Sequence, residues 1–204
     1  MKQQERQESS RQKIFCAAME EFGQNNYDKV TMESICAKHH ISKGMMYHYY
    51  SNKDDLFLLC VEDTFRLLQD YVEQKIKSPK SEGYVESIQH FLKMREYFFE
   101  QHPMQKCIFE NALVHTPKHL EKEIQKLHQS IKEMNNRFME SVVENMPLRP
   151  GVEKQKAMQY LESMEYLLPM VVKSRVSSPQ SDLHTMFANA QDILDMLLFG
   201  IVCQ

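Results

Sequence analysis

A short stretch that begins at Lys43 carries side chains suited to contacts with a nucleic acid. Lys43 can contact a phosphate group or a guanine edge, and Met45 can contact the methyl group of thymine. Tyr47 and His48 can each donate a hydrogen bond to a phosphate oxygen. Gly44 has no side chain, so the backbone there can approach a duplex closely. This combination favours recognition of DNA.

Motifs of known catalytic sites are absent from the sequence. It has no Gly-x-Gly-x-x-Gly, no phosphate-binding loop and no His-Glu-x-x-His, and no Glu is followed three residues later by His. Ser10 and Lys13 match a nucleophile motif by their letters only. Five scattered cysteines without a Cys-x-x-Cys pair indicate free thiols in a reducing compartment. We keep a helical enzyme as a remote alternative and expect no cofactor and no metal, because His119 and Glu123 are better explained as solvent-exposed side chains.

Capping residues and helix breakers predict how this stretch is positioned. Thr31 and Ser42 are suitable N-caps for two short helices, to about residues 39 and 50, separated by a turn at His40. A first helix is predicted from Ser9 or Ser10 to residue 22, with Gly23 as its stop, and a long fourth helix from about residue 52 to 76. Two short helices on either side of a tight turn are typical of a helix-turn-helix.

The remainder of the chain is also predicted to be helical. The sequence has 204 residues and only 5 Gly and 7 Pro, it is rich in good helix formers, and it shows no convincing strand-like alternation. Further helices are expected at about residues 82–101, 103–115, 117–146, 152–175 and 181–203, with a break at 78–81 and a kink at Pro169. The predicted fold is all-α: a three-helix DNA-binding domain at residues 1–53 and a larger helical ligand-binding and dimerisation domain at 54–204.

Charge is distributed unevenly along the chain. The net charge is −3, yet residues 1–53 hold eight Lys/Arg against six Asp/Glu, while the remainder holds 17 against 22. This weak basic bias at the front is compatible with a DNA-binding domain. The polar N-terminus shows no secretory signal, and the longest apolar run, residues 196–203, is too short to cross a bilayer. We therefore expect a cytoplasmic protein that does not use the membrane as a partner.

The N-terminal part of the sequence resembles a known family. Over about forty positions it is similar to the DNA-binding domain of TetR/AcrR regulators. The resemblance rests on Phe22, Tyr27, Thr31, Met32, Ile35, Ile41, Ser42, Lys43, Gly44, Met46, Tyr47, Tyr49, Tyr50, Lys53 and Leu56. It departs from the family at Cys36 and His39, where small residues are usual, and at His40, where Gly is usual and where His tolerates a left-handed conformation better than most residues. By resemblance, the DNA contacts are Thr31, Ser42, Lys43, Gly44, Met45, Tyr47, His48, Tyr49 and Lys53.

The resemblance also implies a role for the rest of the chain. It implies a homodimer on a double-stranded operator and a repressor released by a small, largely apolar effector. Candidate pocket residues are Phe65, Phe91, Met94, Phe98, Met104, Phe109, Phe138 and Met164. Candidate dimer residues are Met158, Leu161, Met186, Phe187, Ala190, Leu194 and Leu197. The alternative is that the C-terminal body binds a protein partner instead of a small ligand.

Overall fold

A computed structural model describes residues 3–76, 83–163, 190, 192–198, 200 and 202 of the chain, and most of them are helical. The α-helices are α1 (Gln3–Gln24), α2 (Met32–Lys38), α3 (Lys43–Tyr49), α4 (Lys53–Lys75), α5 (Tyr84–Gln101), α6 (Pro103–Leu113) and α7 (Glu121–Val143). Short 3-10 helices lie at Tyr27–Lys29 and Lys118–Leu120, and residues 154–163 and 192–198 are helical as well. The described residues form no strand beyond one isolated bridge between Leu148 and Val202. The all-α prediction is confirmed.

The predicted bounds of two helices are wrong. Helix α1 begins at Gln3 and runs past Gly23, because the polar residues before Ser9 are good helix formers and Gly23 sits in close contact with another helix. Pro117 precedes a 3-10 turn, so the α-helix after it begins only at Glu121. Pro103 occupies the first turn of α6, where its missing N–H leaves no hydrogen bond unmade. The break at 78–81, the Pro169 kink and most of the last predicted helix lie outside the described residues.

The chain divides into two compact units. The first comprises Met1–Leu67 and Gln101–His128, and the second comprises Leu68–Glu100 and Gln129–Gln204. The first unit thus joins α1, α2 and α3 with the start of α4, with α6 and with the start of α7. The predicted division of the chain after residue 53 stays a prediction.

Helix α1 buries an apolar stripe in the core of the first unit. Ile14, Ala18 and Phe22 are fully buried, as their spacing of four residues predicts. Phe22 contacts Phe57 of α4 at a ring distance of 5.1 Å, and Phe57 contacts Tyr27 at 4.9 Å. Burial of one such aromatic side chain is worth about 1.5–3 kcal/mol. These aromatic rings pack α1, the 3-10 helix at Tyr27–Lys29 and α4 together.

The second unit has an aromatic core of its own. Phe91 of α5 stacks on Phe138 of α7 with ring centroids 4.0 Å apart. The Arg95 guanidinium lies 4.2 Å from the Phe91 ring, and Phe98 contacts Tyr71 at 5.3 Å. These contacts pack α5 against α7 and against the end of α4.

Candidate nucleic-acid interface

Side-chain caps begin both short helices of the predicted helix-turn-helix. The Thr31 hydroxyl accepts a hydrogen bond from the Ser34 N–H at 3.0 Å, and the Ser34 hydroxyl accepts one from the Thr31 N–H at 3.1 Å. The Ser42 hydroxyl accepts one from the Met45 N–H at 3.1 Å and so caps α3. These bonds satisfy N–H groups that have no partner inside a helix. Both predicted N-caps are confirmed as caps.

The turn between α2 and α3 requires a residue in the left-handed region. His40, which stands where Gly is usual in the family, has a φ of 51°, which is rare for a residue with a side chain. The Ile41 N–H donates to the Cys36 carbonyl at 3.0 Å, and Lys13 of α1 donates to the His40 carbonyl at 3.1 Å. The turn is therefore closed by its own backbone and by a side chain from α1.

Helix α3 is anchored by one face and exposes the other. Met46 is fully buried, and Ile41 before the helix is 4% exposed. Lys43, Gly44 and His48 are exposed, and a Cβ atom added to Gly44 would meet nothing within 4 Å. The outer face thus offers a cation, an open backbone and an imidazole to a partner.

The other predicted contacts are placed at or near this face. Tyr47 is 48% exposed, Met45 is half-buried, and Tyr49 is half-buried with its ring against the ring of His48. Thr31 and Ser42 are exposed although their hydroxyls serve as caps. The predicted DNA contacts before residue 50 therefore gather around α3 and the starts of α2 and α3.

Tyr47 is engaged by an acidic neighbour. Its hydroxyl donates a hydrogen bond to the Glu33 carboxylate at 3.1 Å, and this bond raises the pKa of Tyr47. The pKa of Glu33 is lowered, first by a hydrogen bond from its own backbone N–H and then by the Tyr47 hydroxyl. A phosphate that approached Tyr47 would have to replace this carboxylate as the acceptor.

Lys53 has internal partners that the sequence argument did not foresee. The resemblance implies that Lys53, in the first turn of α4, contacts DNA. In the structure its ammonium donates to the Tyr27 carbonyl at 3.1 Å and the Val30 carbonyl at 3.3 Å, and lies 4.0 Å from the centre of the Tyr27 ring. The cation thus ties the α1–α2 connection to α4, and a phosphate contact by Lys53 stays a prediction.

The same connection is held by a polar group that we call the Tyr27 cluster, made of Tyr27, Lys53, Asp54, Asn111 and His119. The Tyr27 hydroxyl donates to Asp54 and lies 3.2 Å from the His119 Nε2, which is 3.1 Å from the second oxygen of Asp54. The Tyr27 N–H donates to the Asn111 side-chain oxygen at 3.1 Å. Burial and the bond to Asp54 raise the pKa of Tyr27 well above its usual range. The cluster joins the α1–α2 connection to α4, to α6 and to the 3-10 helix at Lys118–Leu120.

Sequence reasoning missed most of this cluster. Asn111 and His119 lie 84 and 92 residues from Tyr27 in the chain, and no local spacing relates them. Three or more His, Cys, Asp or Glu side chains that could hold a metal ion do not come together anywhere in the described residues.

The predicted pocket residues fall into separate groups. Phe65 and Phe109 meet edge to face at 5.7 Å in the first unit, whereas the buried residues Phe91, Met94, Phe98 and Phe138 belong to the second. Met104 is 39% exposed and contacts α1 near Gly23, so its place is the surface of the first unit rather than its interior. Met164 lies outside the described residues.

A surface groove lies elsewhere in the second unit. It has a volume of about 550 Å³ and lies between α7 and the helical residues 154–158. Its lining includes Arg137, Glu144 and Lys154 and none of the predicted pocket residues. The groove is open to solvent, which differs from the enclosed site expected of a small-ligand pocket.

The predicted dimer residues are partly buried within the single chain. Leu161, Ala190 and Leu194 are at most 3% exposed, and Met158 and Leu197 are half-buried. Met186 and Phe187 lie outside the described residues.

In the described part of the chain, no helix is long and apolar enough to cross a membrane.

The N-terminal part of the chain is similar to known proteins. Residues 14–60 match the model of a family described as bacterial regulatory proteins, tetR family. A stretch of 91 residues is 29% identical to the Transposon Tn10 TetC protein of Escherichia coli, and it covers 44% of this chain and 46% of that protein. The match therefore spans about half the length of this curated relative.

Solved structures resemble the chain over nearly its whole length. A transcriptional regulator from Cytophaga hutchinsonii superposes with a TM-score of 0.66 at 18% identity, over 93% of this chain and 97% of that chain. The protein in the SmeT-Triclosan complex superposes with a TM-score of 0.62 at 17% identity, over 96% of this chain and 93% of that chain. At such identities the likeness is one of fold.

Proposed function

We propose that the chain is a DNA-binding transcriptional regulator, because its residues 14–60 match the model of a family described as bacterial regulatory proteins, tetR family. The observation that carries the proposal is the outer face of α3. There Lys43, Gly44 and His48 are exposed, while Met46 anchors the opposite face in the core. A helix held in this way can enter a major groove, with its side chains against base edges and phosphates.

We propose further that the active form is a homodimer. Helix α3 has seven residues and can read only a few base pairs by itself. A two-fold pair of such helices would reach two half-sites that lie one helical turn apart, on the order of 34 Å. The helical residues 192–198 support such pairing because Met196 is 68% exposed on a segment that also buries Leu194 and Leu198.

The regulatory signal is proposed to be a small, largely apolar compound that releases a repressor from its operator. The SmeT-Triclosan complex, which resembles this chain in fold, contains an apolar aromatic compound. Release requires that the compound bind one arrangement of the DNA-binding domains more tightly than another. A body that binds a protein partner instead is the second possibility, and such a protein would bind its operator equally well with and without apolar compounds.

Selection of duplexes from a random DNA pool tests the central claim. The purified chain should enrich a sequence with two-fold symmetry, and its affinity should fall steeply with salt concentration. Enrichment of no sequence, together with affinity that does not depend on salt, would contradict the proposal. Addition of triclosan and other apolar aromatic compounds to the selected complex then tests the effector class.

The substitution Gly44→Ala distinguishes an effect on DNA binding from an effect on folding stability. The added methyl group meets nothing within 4 Å in the free protein, so stability should be unchanged or should rise by up to about 1 kcal/mol. The same methyl group would stand between the backbone of α3 and the duplex, and we expect affinity for the selected duplex to fall about tenfold, or 1.4 kcal/mol. Thermal unfolding and fluorescence anisotropy measure the two effects, and undiminished affinity would show that α3 does not approach DNA at Gly44.

A further inference from the structure

Helix α1 places a cation beside the end of α3. The Arg11 guanidinium lies 5.5 Å from the centre of the Tyr49 ring, and the ring of His48 meets the Tyr49 ring at 4.7 Å. Arg11 and His48 are both exposed. A charged group from the first helix thus adjoins the face of α3 that carries the proposed DNA contacts.

The geometry leaves the hydrogen-bonding edge of Arg11 available. No carboxylate pairs with it among the residues that the structure describes. Stacking on an aromatic ring uses the flat face of a guanidinium, whereas its five N–H donors lie in the plane of the group. Arginine also keeps its charge at all ordinary pH values. The aromatic ring therefore orients a permanent cation without consuming its donors.

Through Lys13, helix α1 also contacts the chain just before the start of α3. Its ammonium donates to the His40 carbonyl in the turn before α3 at 3.1 Å. Arg11 and Lys13 therefore mark the two ends of α3 from the same helix. An approaching phosphate backbone that meets His48 would lie close to Arg11.

On the premise that the chain binds DNA as proposed, we infer that Arg11 is a phosphate contact supplied by α1 and held in place by Tyr49. The guanidinium matches two oxygens of one phosphodiester group. Such a contact reads no base, so it strengthens binding to every sequence alike. It extends the DNA-binding surface from the helix-turn-helix to the first helix of the chain.

The test compares Arg11→Gln with two matched variants. Arg11→Lys keeps the charge, and Arg6→Gln removes an equal charge from an exposed position earlier in the same helix. Affinity is measured by fluorescence anisotropy from 50 to 300 mM KCl, on the duplex selected by the wild type and on a shuffled duplex. Thermal unfolding of each variant is measured in parallel.

For Arg11→Gln we expect affinity on both duplexes to fall by about three- to tenfold at the lowest salt, and the slope of log K against log salt to become shallower by about 0.9. Arg11→Lys should keep most of the slope, and Arg6→Gln should keep all of it. Two results would overturn the inference: an unchanged slope in Arg11→Gln, whether or not its affinity and unfolding temperature fall, or an equal loss in Arg6→Gln.

The outcomes also separate this inference from its premise. If the wild type binds with a steep salt dependence and Arg11→Gln leaves that dependence intact, only the role of Arg11 fails. If the wild type binds neither duplex, the proposed function and the role of Arg11 fail together.

Discussion

Asn111 of α6 holds the connection between α1 and α2 through buried hydrogen bonds. The residue is 2% exposed, and its side-chain oxygen accepts the Tyr27 N–H at 3.1 Å. Its amide nitrogen donates to the Cys107 carbonyl at 2.9 Å and to the Asn25 carbonyl at 3.3 Å. The amide nitrogen also donates to the Cys107 Sγ at 3.5 Å, so Asn111→Ala removes four hydrogen bonds at once.

The cost follows from the groups that would be left behind. The Tyr27 N–H would lose its acceptor in a buried site, and a buried group without a partner costs about 1–3 kcal/mol. Loss of two donors and of the volume of the amide adds to this penalty. We expect the free energy of unfolding to fall by about 3 kcal/mol, which corresponds to about 6–12 °C in unfolding temperature for a chain of this size.

Urea unfolding followed by circular dichroism measures the effect. Asn145→Ala is the control, because Asn145 is exposed and its amide donates only to the nearby Ser141 carbonyl. The control should change stability by less than about 0.5 kcal/mol. Asn111→Asp should be at least as damaging as Asn111→Ala at pH 7, since a carboxylate would then face two carbonyl oxygens. The reasoning is refuted if Asn111→Ala proves no less stable than the control.

Two further predictions concern packing and burial. Gly23→Ala should lower the free energy of unfolding by about 1–3 kcal/mol, because the added Cβ would lie 2.6 Å from the Met104 Cβ and 3.0 Å from its Cα; urea unfolding at wild-type stability would contradict this. In thiol labelling of the native protein at pH 8, Cys16 should react and Cys60 should not, because Cys16 is exposed while burial removes access to Cys60 and raises its pKa. Equal labelling rates before unfolding would contradict that claim.

Local signals in the sequence were sufficient for the short helices. The hydroxyls of Thr31 and Ser42 act on N–H groups three residues away, so the pattern that predicts them is contained in a few positions. The left-handed turn at His40 is likewise a local property of the backbone. These features could be predicted because neither needs any knowledge of the rest of the chain.

The start of α1 and the purpose of Lys53 could not be predicted in this way. Helix α1 extends to Gln3 through polar residues that make no apolar stripe. Hydrophobic periodicity alone cannot detect such a helical segment. The first turn of a helix disfavours a cation, and the resemblance places Lys53 among the DNA contacts. Its actual acceptors are carbonyls 26 and 23 residues earlier in the chain, and only the folded structure brings them together.

Besides the proposed phosphate contact, helix α1 also makes contacts that set the position of α3. Glu21 of α1 is 4% exposed, and it binds Lys38 at 2.7 Å and His39 at 3.3 Å at the end of α2. A buried carboxylate is costly unless it is paired, so the Lys38 ammonium and the His39 imidazole hold the end of α2 against α1. Lys13 then holds the turn that follows. Because α1 fixes both the end of α2 and the turn into α3, substitutions in α1 should alter DNA binding through the placement of α3 even where they remove no charge.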